Sequence, residues 1–266
     1  MKFSFDHDLH IHSYISPCSN NPDQSPETII KYAEENGLNT VCVTDHFWDS
    51  DVKGCIQDYE TLNYEKLSKI KPLPQKDNIK FLFGCECELS KDMILGVSPE
   101  KYDMFDFIII PTTHMHFTGQ TISYEDAASL ERRAELWCNR IDAVLNMDLP
   151  FHKMGLAHLT TTLIAPSSKE DTFRVLNMIS TKELKRLFEK AASVGIGIEL
   201  NVYDMEFSDD EADTILRPYK IAKECGCKFY CGTDAHHPSK FKNAKKTFER
   251  AIDMLDLKES DKFLIK

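Results

Sequence analysis

The chain has 266 residues, 42% of them hydrophobic and 28% charged, with a formal net charge of −11. These proportions suit a soluble globular protein, and the length is enough for one barrel domain with a sizeable core. The acidity argues against a long nucleic-acid track, which needs a basic face, but it allows a phosphorylated substrate whose charge is met by bound cations.

Nine cysteines are too dilute and odd in number for a disulfide framework, and no CxxC pair occurs. The chain opens Met-Lys-Phe-Ser-Phe-Asp-His-Asp, without an apolar leader core. Its most apolar stretch, 105–111, is broken by Asp106 and is too short to span a bilayer. The expectation is a cytoplasmic, reduced protein with no membrane partner.

In chain order, short strand patterns alternate with helical ones. Strands are expected over Phe3–His10, Thr40–Thr44, Lys80–Glu86, Phe105–Ile110, Met154–His158, Gly197–Asn201 and Lys228–Cys231. Helices are expected over Pro26–Asn36, Tyr64–Lys71, Ser123–Leu145, Thr181–Ser193, Asp209–Glu224 and Asn243–Leu255. Ser25-Pro26-Glu27 reads as an N-cap before a first-turn proline, and the segments starting at Thr181 and Ser208 read as capped, acidic first turns. Gly37, Gly195 and Gly226 read as helix stops. The stretches Phe47–Asn63 and Thr161–Ser180 read as long loops shaping access to a site. Seven βα units with no break in composition argue for one closed parallel barrel spanning 1–266. An open doubly wound sheet is the alternative, but it would gather function at a single switch point.

Instead, metal-capable residues recur at the strand ends. In Asp8-Leu9-His10-Ile11-His12, strand geometry places Asp8, His10 and His12 on one face. Glu86 lies between Cys85 and Cys87, which alternation sends outward to pack as small hydrophobes. Asp234 and His236 follow the last strand, a hard oxygen and a borderline nitrogen that suit zinc, manganese or iron better than calcium. His46, His114 and His158 also end strands. His116 is a substrate-contact candidate, Asn201 a pocket-shaping residue, and His7, His152 and His237 fall outside the ligand set.

Taken in order, these residues resemble the polymerase-and-histidinol-phosphatase (PHP) superfamily of metal-dependent phosphoesterases. The carrying pieces are Asp-Leu-His-Ile-His, Val-Thr-Asp-His, Gly-Cys-Glu, the His114 segment, Ala-His158, Ile-Glu-Leu-Asn and Gly-Thr-Asp-Ala-His-His-Pro, from Asp8 to Pro238. The last pieces are most similar to the histidinol-phosphatase-like branch. The resemblance implies a distorted (β/α)7 barrel with two or three divalent ions (zinc, manganese or iron) at the C-terminal ends of its strands. It implies one ion on His10, His12, Glu86 and Asp234, and a second on Glu86, His114 and His158. A third would lie on His46 and His236 with a ligand from the loop after His12. Many relatives have a histidine six residues past the second histidine of the opening motif, where this chain has Cys18. Whether Cys18 ligates or stands by is left open; as a ligand it would favour zinc or iron.

The implied activity is hydrolysis of a small phosphate monoester, histidinol phosphate among the candidates, by a hydroxide held between the first two ions. Glu86, Asp234 and His236 are the residues expected to carry catalysis. Arg132, Arg133, Arg140, Arg174 and Arg217 are candidate phosphate contacts, with Arg174 favoured for its loop position. The partner expected is a small phosphorylated molecule rather than long nucleic acid, and oligomeric state is left open. Competing readings are a phosphodiesterase or exonuclease on nucleotides or nucleic acid, a non-catalytic metal-stabilised barrel, and an amidohydrolase lacking a placed lysine bridge.

Overall fold

The computed structural model describes residues 1–56 and 59–265. Among these residues the strands are β1 (His7–Ile11), β2 (Thr40–Val43), β3 (His46–Phe47), β4 (Lys80–Phe83), β5 (Cys85–Cys87), β6 (Ile108–Ile110), β7 (Met154–Leu156), β8 (Gly197–Asn201) and β9 (Lys228–Gly232). The α-helices are α1 (Pro26–Asn36), α2 (Tyr64–Leu67), α3 (Tyr124–Ala127), α4 (Leu130–Leu145), α5 (Lys169–Met178), α6 (Thr181–Val194), α7 (Val202–Met205), α8 (Ala212–Glu224) and α9 (Ala244–Met254).

All strand pairings are parallel, in the orders β1-β2-β4 and β3-β5-β6-β7-β8-β9. The two runs are two levels of one wall, because β3 continues the path of β2 and β5 continues that of β4. The break between β4 and β5 falls at Gly84, where an added Cβ would lie 2.5 Å from the Phe107 carbonyl. Beyond β9 the chain returns to β1. Ile11 bridges Ala235 in parallel, the Asp234 amide donates to the His10 carbonyl at 2.6 Å, and the His12 amide donates to the Ala235 carbonyl at 3.2 Å. Seven strand positions thus follow one another around a (β/α)7 ring with the helices outside, rather than an open sheet.

Apolar residues form two layers. The larger cluster lies between wall and helices and includes Ile11, Val41, Val43, Cys85, Cys87, Ile108 and Ile110, so both cysteines flanking Glu86 face outward as expected. A smaller cluster fills the other side of the wall: Leu9, Cys42, Leu82, Phe107, Ile109, Ala157, Tyr230 and Phe263. The C-terminal segment closes this end, with the Phe263 amide donating to the Phe229 carbonyl at 2.7 Å. No described helix is long and apolar enough to cross a membrane.

Several local expectations need correction. The opening strand begins at His7, not Phe3, and it is irregular: Asp8 pairs with Val41 but Ile11 with Val43. This extra residue is a bulge, and it breaks the single face expected for Asp8, His10 and His12. Asp8 instead accepts from Tyr32 on α1 at 3.0 Å and from the Thr233 amide at 3.0 Å. The 161–180 stretch is not a loop, since α5 occupies half of it. Ser168 caps α5 by accepting from the Asp171 amide, and the buried face is only Thr172, Val175 and Leu176, too narrow and β-branched to stand out as helical. The expected 123–145 helix splits into α3 and α4, because Ser129 caps a new start. Ser208 does not cap α8, which starts after Glu211, and α6 is capped by Ser180. The loop expected over 47–63 buries Trp48, Ile56, Tyr59 and Leu62; its residues 57 and 58 lie outside the described residues.

Candidate metal centre

Parallel strands of one barrel deliver their C-terminal ends to one rim. That rim gathers His10 of β1 and His12 just past it, His46 of β3, Glu86 of β5, His114 beyond β6, His158 beyond β7, and Asp234 and His236 beyond β9. His158 and Asp234 adopt left-handed backbone conformations, φ 33° and 52°. Such strain in non-glycine residues is sustained only where the surroundings over-determine it, and here it turns both side chains inward.

Glu86 is the hub. Its Oε1 faces His158 Nε2 at 3.1 Å and His114 Nε2 at 3.7 Å. Its Oε2 faces His46 Nδ1 at 2.7 Å, His12 Nε2 at 3.4 Å and His10 Nε2 at 3.8 Å. Asp234 Oδ1 lies 3.1 Å from His12 Nε2 and 3.4 Å from His10 Nε2. The side chains fall into three sets whose donor atoms lie within 4.8 Å of one another: His10, His12 and Asp234; Glu86, His114 and His158; and His12, Cys18, His46 and His236. Each carboxylate oxygen of Glu86 thus belongs to a different side of the centre.

The imidazoles are oriented from behind. His10 Nδ1 donates to Glu199 at 2.7 Å and His114 Nδ1 to Glu88 at 2.6 Å. His236 Nδ1 donates to the Asp234 carbonyl at 2.8 Å. His12 Nδ1 lies 2.9 Å from Ser16 Oγ, whose own hydrogen goes to Asp45 at 2.6 Å, so the hydroxyl accepts from the ring. His158 Nδ1 and Thr113 Oγ1, 2.8 Å apart, follow the same logic, since Thr113 donates to the His158 carbonyl at 3.1 Å. Each partner is an acceptor, so five rings carry Nδ1–H and aim Nε2 at the centre. Acceptors behind ligating histidines set their tautomer and raise their basicity.

The charges point the same way. Burial opposes charge on His10, but Glu199 and Asp234 outweigh it and push its pKa well above the ordinary imidazole value. Against the same penalty, Asp234 and Glu86 lift His12 to about 9, and Glu86 lifts His158 to about 9. Burial would raise Glu86 and Asp234, yet the surrounding histidines hold both below the usual carboxylate range. Burial, reinforced by neighbouring imidazoles, pushes His114 and His236 down to about 3. Two buried carboxylates therefore favour positive charge at Nε2 of His10, His12 and His158, atoms at which a cation displaces a proton. With His10 Nε2 and His12 Nε2 only 3.2 Å apart, the donor set fits divalent metal.

Cys18 sits in the loop after β1, and that loop is fastened on both sides of it. Ser16 is held by Asp45, and Ser19 Oγ donates to the His236 carbonyl at 2.7 Å. Cys18 is an exposed residue whose sulfur turns towards the centre, where desolvation, then Glu86 and Asp234, push its thiol up to about 12. A cation beside it would oppose that shift.

The candidate arginines do not reach the centre. Arg132 pairs with Asp126 and Glu135, and Arg174, on α5 rather than a loop, pairs with Asp171. Arg133 donates to the Met115 and Ile164 carbonyls, Arg140 to the carbonyls of Leu89, Thr112 and Thr121, and Arg217 to those of Leu176 and Ile179. His116 lines the mouth with Phe117, and burial lowers its pKa to about 4. Asn201 donates to Glu199 and, at 3.4 Å, to Asp234. His7 pairs with Asp6 and accepts from the Cys231 amide, a structural role. Glu88, Glu199, Thr113, Ser16, Asp45 and Tyr59 were not singled out from the sequence. Glu88 had a signal, because alternation puts it on the face of Glu86. Glu199 likewise shares a strand face with Asn201.

Residues 8–202 match the family described as PHP domain. No curated protein matches the sequence. Among solved structures, the chain is similar to the histidinol phosphate phosphatase of Lactococcus lactis subsp. lactis Il1403, complexed with zinc, L-histidinol and phosphate. The TM-score is 0.66 and the identity 19%, covering 95% of this chain and 94% of that one. It is also similar to a protein of Listeria monocytogenes described as a histidinol phosphatase, with TM-score 0.58 and 14% identity, covering 91% of this chain and 99% of that one. At these identities the likeness speaks for the fold, and it runs nearly end to end.

Proposed function

The chain belongs to the PHP domain family and is a metal-dependent phosphoesterase; from that premise we propose that it hydrolyses a small phosphate monoester, with histidinol phosphate the first to test. The observation that carries the reading is the set of five histidines whose Nδ1–H groups are all engaged behind them. Nε2 of His10, His12, His114 and His158 converges on Glu86 and Asp234, while His236 is gathered with Cys18 and His46.

In this reading His10, His12, Glu86 and Asp234 hold one divalent ion, and Glu86, His114 and His158 a second. Cys18, His46 and His236 hold a third, for which the sulfur favours zinc. Bound there, divalent ions supply Lewis acidity, lowering the pKa of water and neutralising phosphoryl oxygens as charge develops. Glu199, Glu88, Ser16 and Thr113 keep the imidazole protons on Nδ1. The buried walls around Glu86 exclude bulk water and strengthen each charge interaction. Tyr59, His116, Phe117 and Leu163 border the opening through which a leaving group extends. We further propose that the whole chain acts as a single domain, since β9, which closes the ring onto β1, carries the chain to Asp234 and His236.

The test is hydrolysis of histidinol phosphate and p-nitrophenyl phosphate by purified protein loaded with manganese or zinc, beside the His12→Ala, Asp234→Ala double variant. The double variant is expected to lose activity by about a thousandfold or more, on the order of 4 kcal/mol of barrier, and to bind fewer ions per chain. Turnover that survives the double substitution would sink the mechanism.

A further inference from the structure

We propose that Lys240, on the short helical turn that follows His236, is a specificity-determining contact for a second anionic group on the substrate, outside the metal centre. The proposal rests on the phosphoesterase reading above and names a class of substrate: a phosphate monoester whose leaving group carries a carboxylate or a further phosphate, preferred over histidinol phosphate, whose leaving group carries an ammonium and no anion.

Position is the first argument. The turn spans Pro238–Asn243 and is capped by the His237 side chain, which accepts from the Ser239 amide. Its root is tied to the centre, since Ser19 holds the His236 carbonyl. Lys240 Nζ lies over the ring of Tyr203, 4.9 Å from its centroid. Tyr203 is joined to the centre through Asn201, whose Oδ1 accepts from the Tyr203 amide at 2.9 Å and whose Nδ2 donates to Asp234 at 3.4 Å. Tyr203 is 37% exposed, so its ring and the ammonium over it are open to solvent.

Availability is the second. Lys240, Lys242, Lys245 and Lys246 are exposed, and among the described residues none of them is in an ion pair. In a chain of net charge −11 this run is a local reversal of sign, which draws anions towards the rim.

Elimination is the third. The chain's seven arginines all face acids or backbone carbonyls away from the centre, Arg186 through Asp142 and Glu183 and Arg250 through Asp209 and Phe207. The mouth of the centre is lined by imidazoles, Cys18, Tyr59, Phe117 and Leu163, with no ammonium or guanidinium. On the other side of Tyr203 the groove carries Asp204 and Glu206, which repel an anion, and its cation, Lys169, is already paired with Glu211 at 2.7 Å. Among the described residues, a second negative group on a substrate seated at the metals therefore meets a cation without an ion-pair partner on the Lys240 side of Tyr203, and a cation already paired on the other.

The experiment compares phosphoglycolate with ethyl phosphate, which have two-carbon leaving groups with and without a carboxylate, on the metal-loaded full chain. Wild type is expected to favour phosphoglycolate. Lys240→Ala is expected to lower kcat/KM for phosphoglycolate about tenfold, mainly through KM, and to leave ethyl phosphate within about twofold; a charge-assisted hydrogen bond is of this size. Lys240→Arg should retain most of the preference, and melting temperatures should not move. Equal losses on both substrates, no loss on phosphoglycolate, or no wild-type preference would overturn the inference while leaving the phosphoesterase reading intact. Wild type inert on every monoester offered breaks that reading itself.

Discussion

Strand β1 sends Leu9 into the apolar cluster that fills one end of the barrel and, one residue later, His10 into the metal centre at the other. The contrast repeats on β9, where Tyr230 packs edge-on against Phe107 with ring centroids 5.1 Å apart, and Asp234 follows a few residues on. The lower end is apolar and needs only shape. The upper end buries Glu86, Glu88, Glu199 and four histidines, His10, His12, His114 and His158, an arrangement that costs stability unless every charge is answered. The two ends divide the work: one holds the ring closed, and the other stores the electrostatic tension that a cation relieves.

The sharpest way to break this division is at Glu86. Glu86→Ala is expected to abolish turnover by a thousandfold or more, about 4 kcal/mol of barrier, and to lower metal content, while the metal-free protein keeps its melting temperature. Removing the buried carboxylate removes its desolvation cost, and His12 and His158, which it holds protonated, can release their protons once it is gone. Metal analysis with calorimetry of both forms checks it. A large loss of apo-protein stability would show that the upper end is structural after all.

The converse change is Phe107→Ala. Phe107 is fully buried between Tyr230 and Phe263, and its truncation is expected to cost about 3–5 kcal/mol, read as a fall of about 10 °C in melting temperature. Metal content and kcat at low temperature should stay near wild type. A variant that folds but has lost its metals would mean the two ends are coupled through the wall.

Much of this contrast was legible in the sequence, for a physical reason. Strands of a parallel barrel end on one rim, so His46, His114, His158 and Asp234, far apart in the chain, had only one place to meet. What escaped were features that depend on neighbours in space. The bulge in β1 turns Asp8 away to Tyr32 and follows from pairing with β2, not from local composition. Helix α5 buries only three residues, two of them β-branched, so its periodicity was faint. Glu199 lay in plain sight beside Asn201, but its role depends on Gly232 of the next strand, where an added Cβ would collide with Glu199 Oε1 and crowd His10 Cβ.

Glu199 therefore provides an intermediate test. One of its oxygens accepts from His10 Nδ1 and the other from the His158 amide at 2.7 Å and from Asn201. Glutamine keeps the shape but offers only one accepting oxygen, so it turns an NH2 group towards one of these donors. Glu199→Gln is expected to weaken metal binding about 10- to 100-fold, measured by competition with a chromophoric chelator. A shift confined to melting temperature would place Glu199 with Phe107 rather than with Glu86.

The smallest effect is expected at Arg174. A loop position made it the favoured phosphate contact, but α5 carries it on an exposed face, paired with Asp171 one turn earlier. Exposed pairs of this kind contribute roughly 0–1 kcal/mol, and nothing from the centre reaches it. Arg174→Ala should leave kcat/KM for every phosphate monoester within about twofold and stability within about 0.5 kcal/mol. A substrate-dependent loss at Arg174 instead would mean that α5 closes over the bound molecule. Specificity would then be set by the 161–180 segment and not by Lys240 on the opposite side of Tyr203.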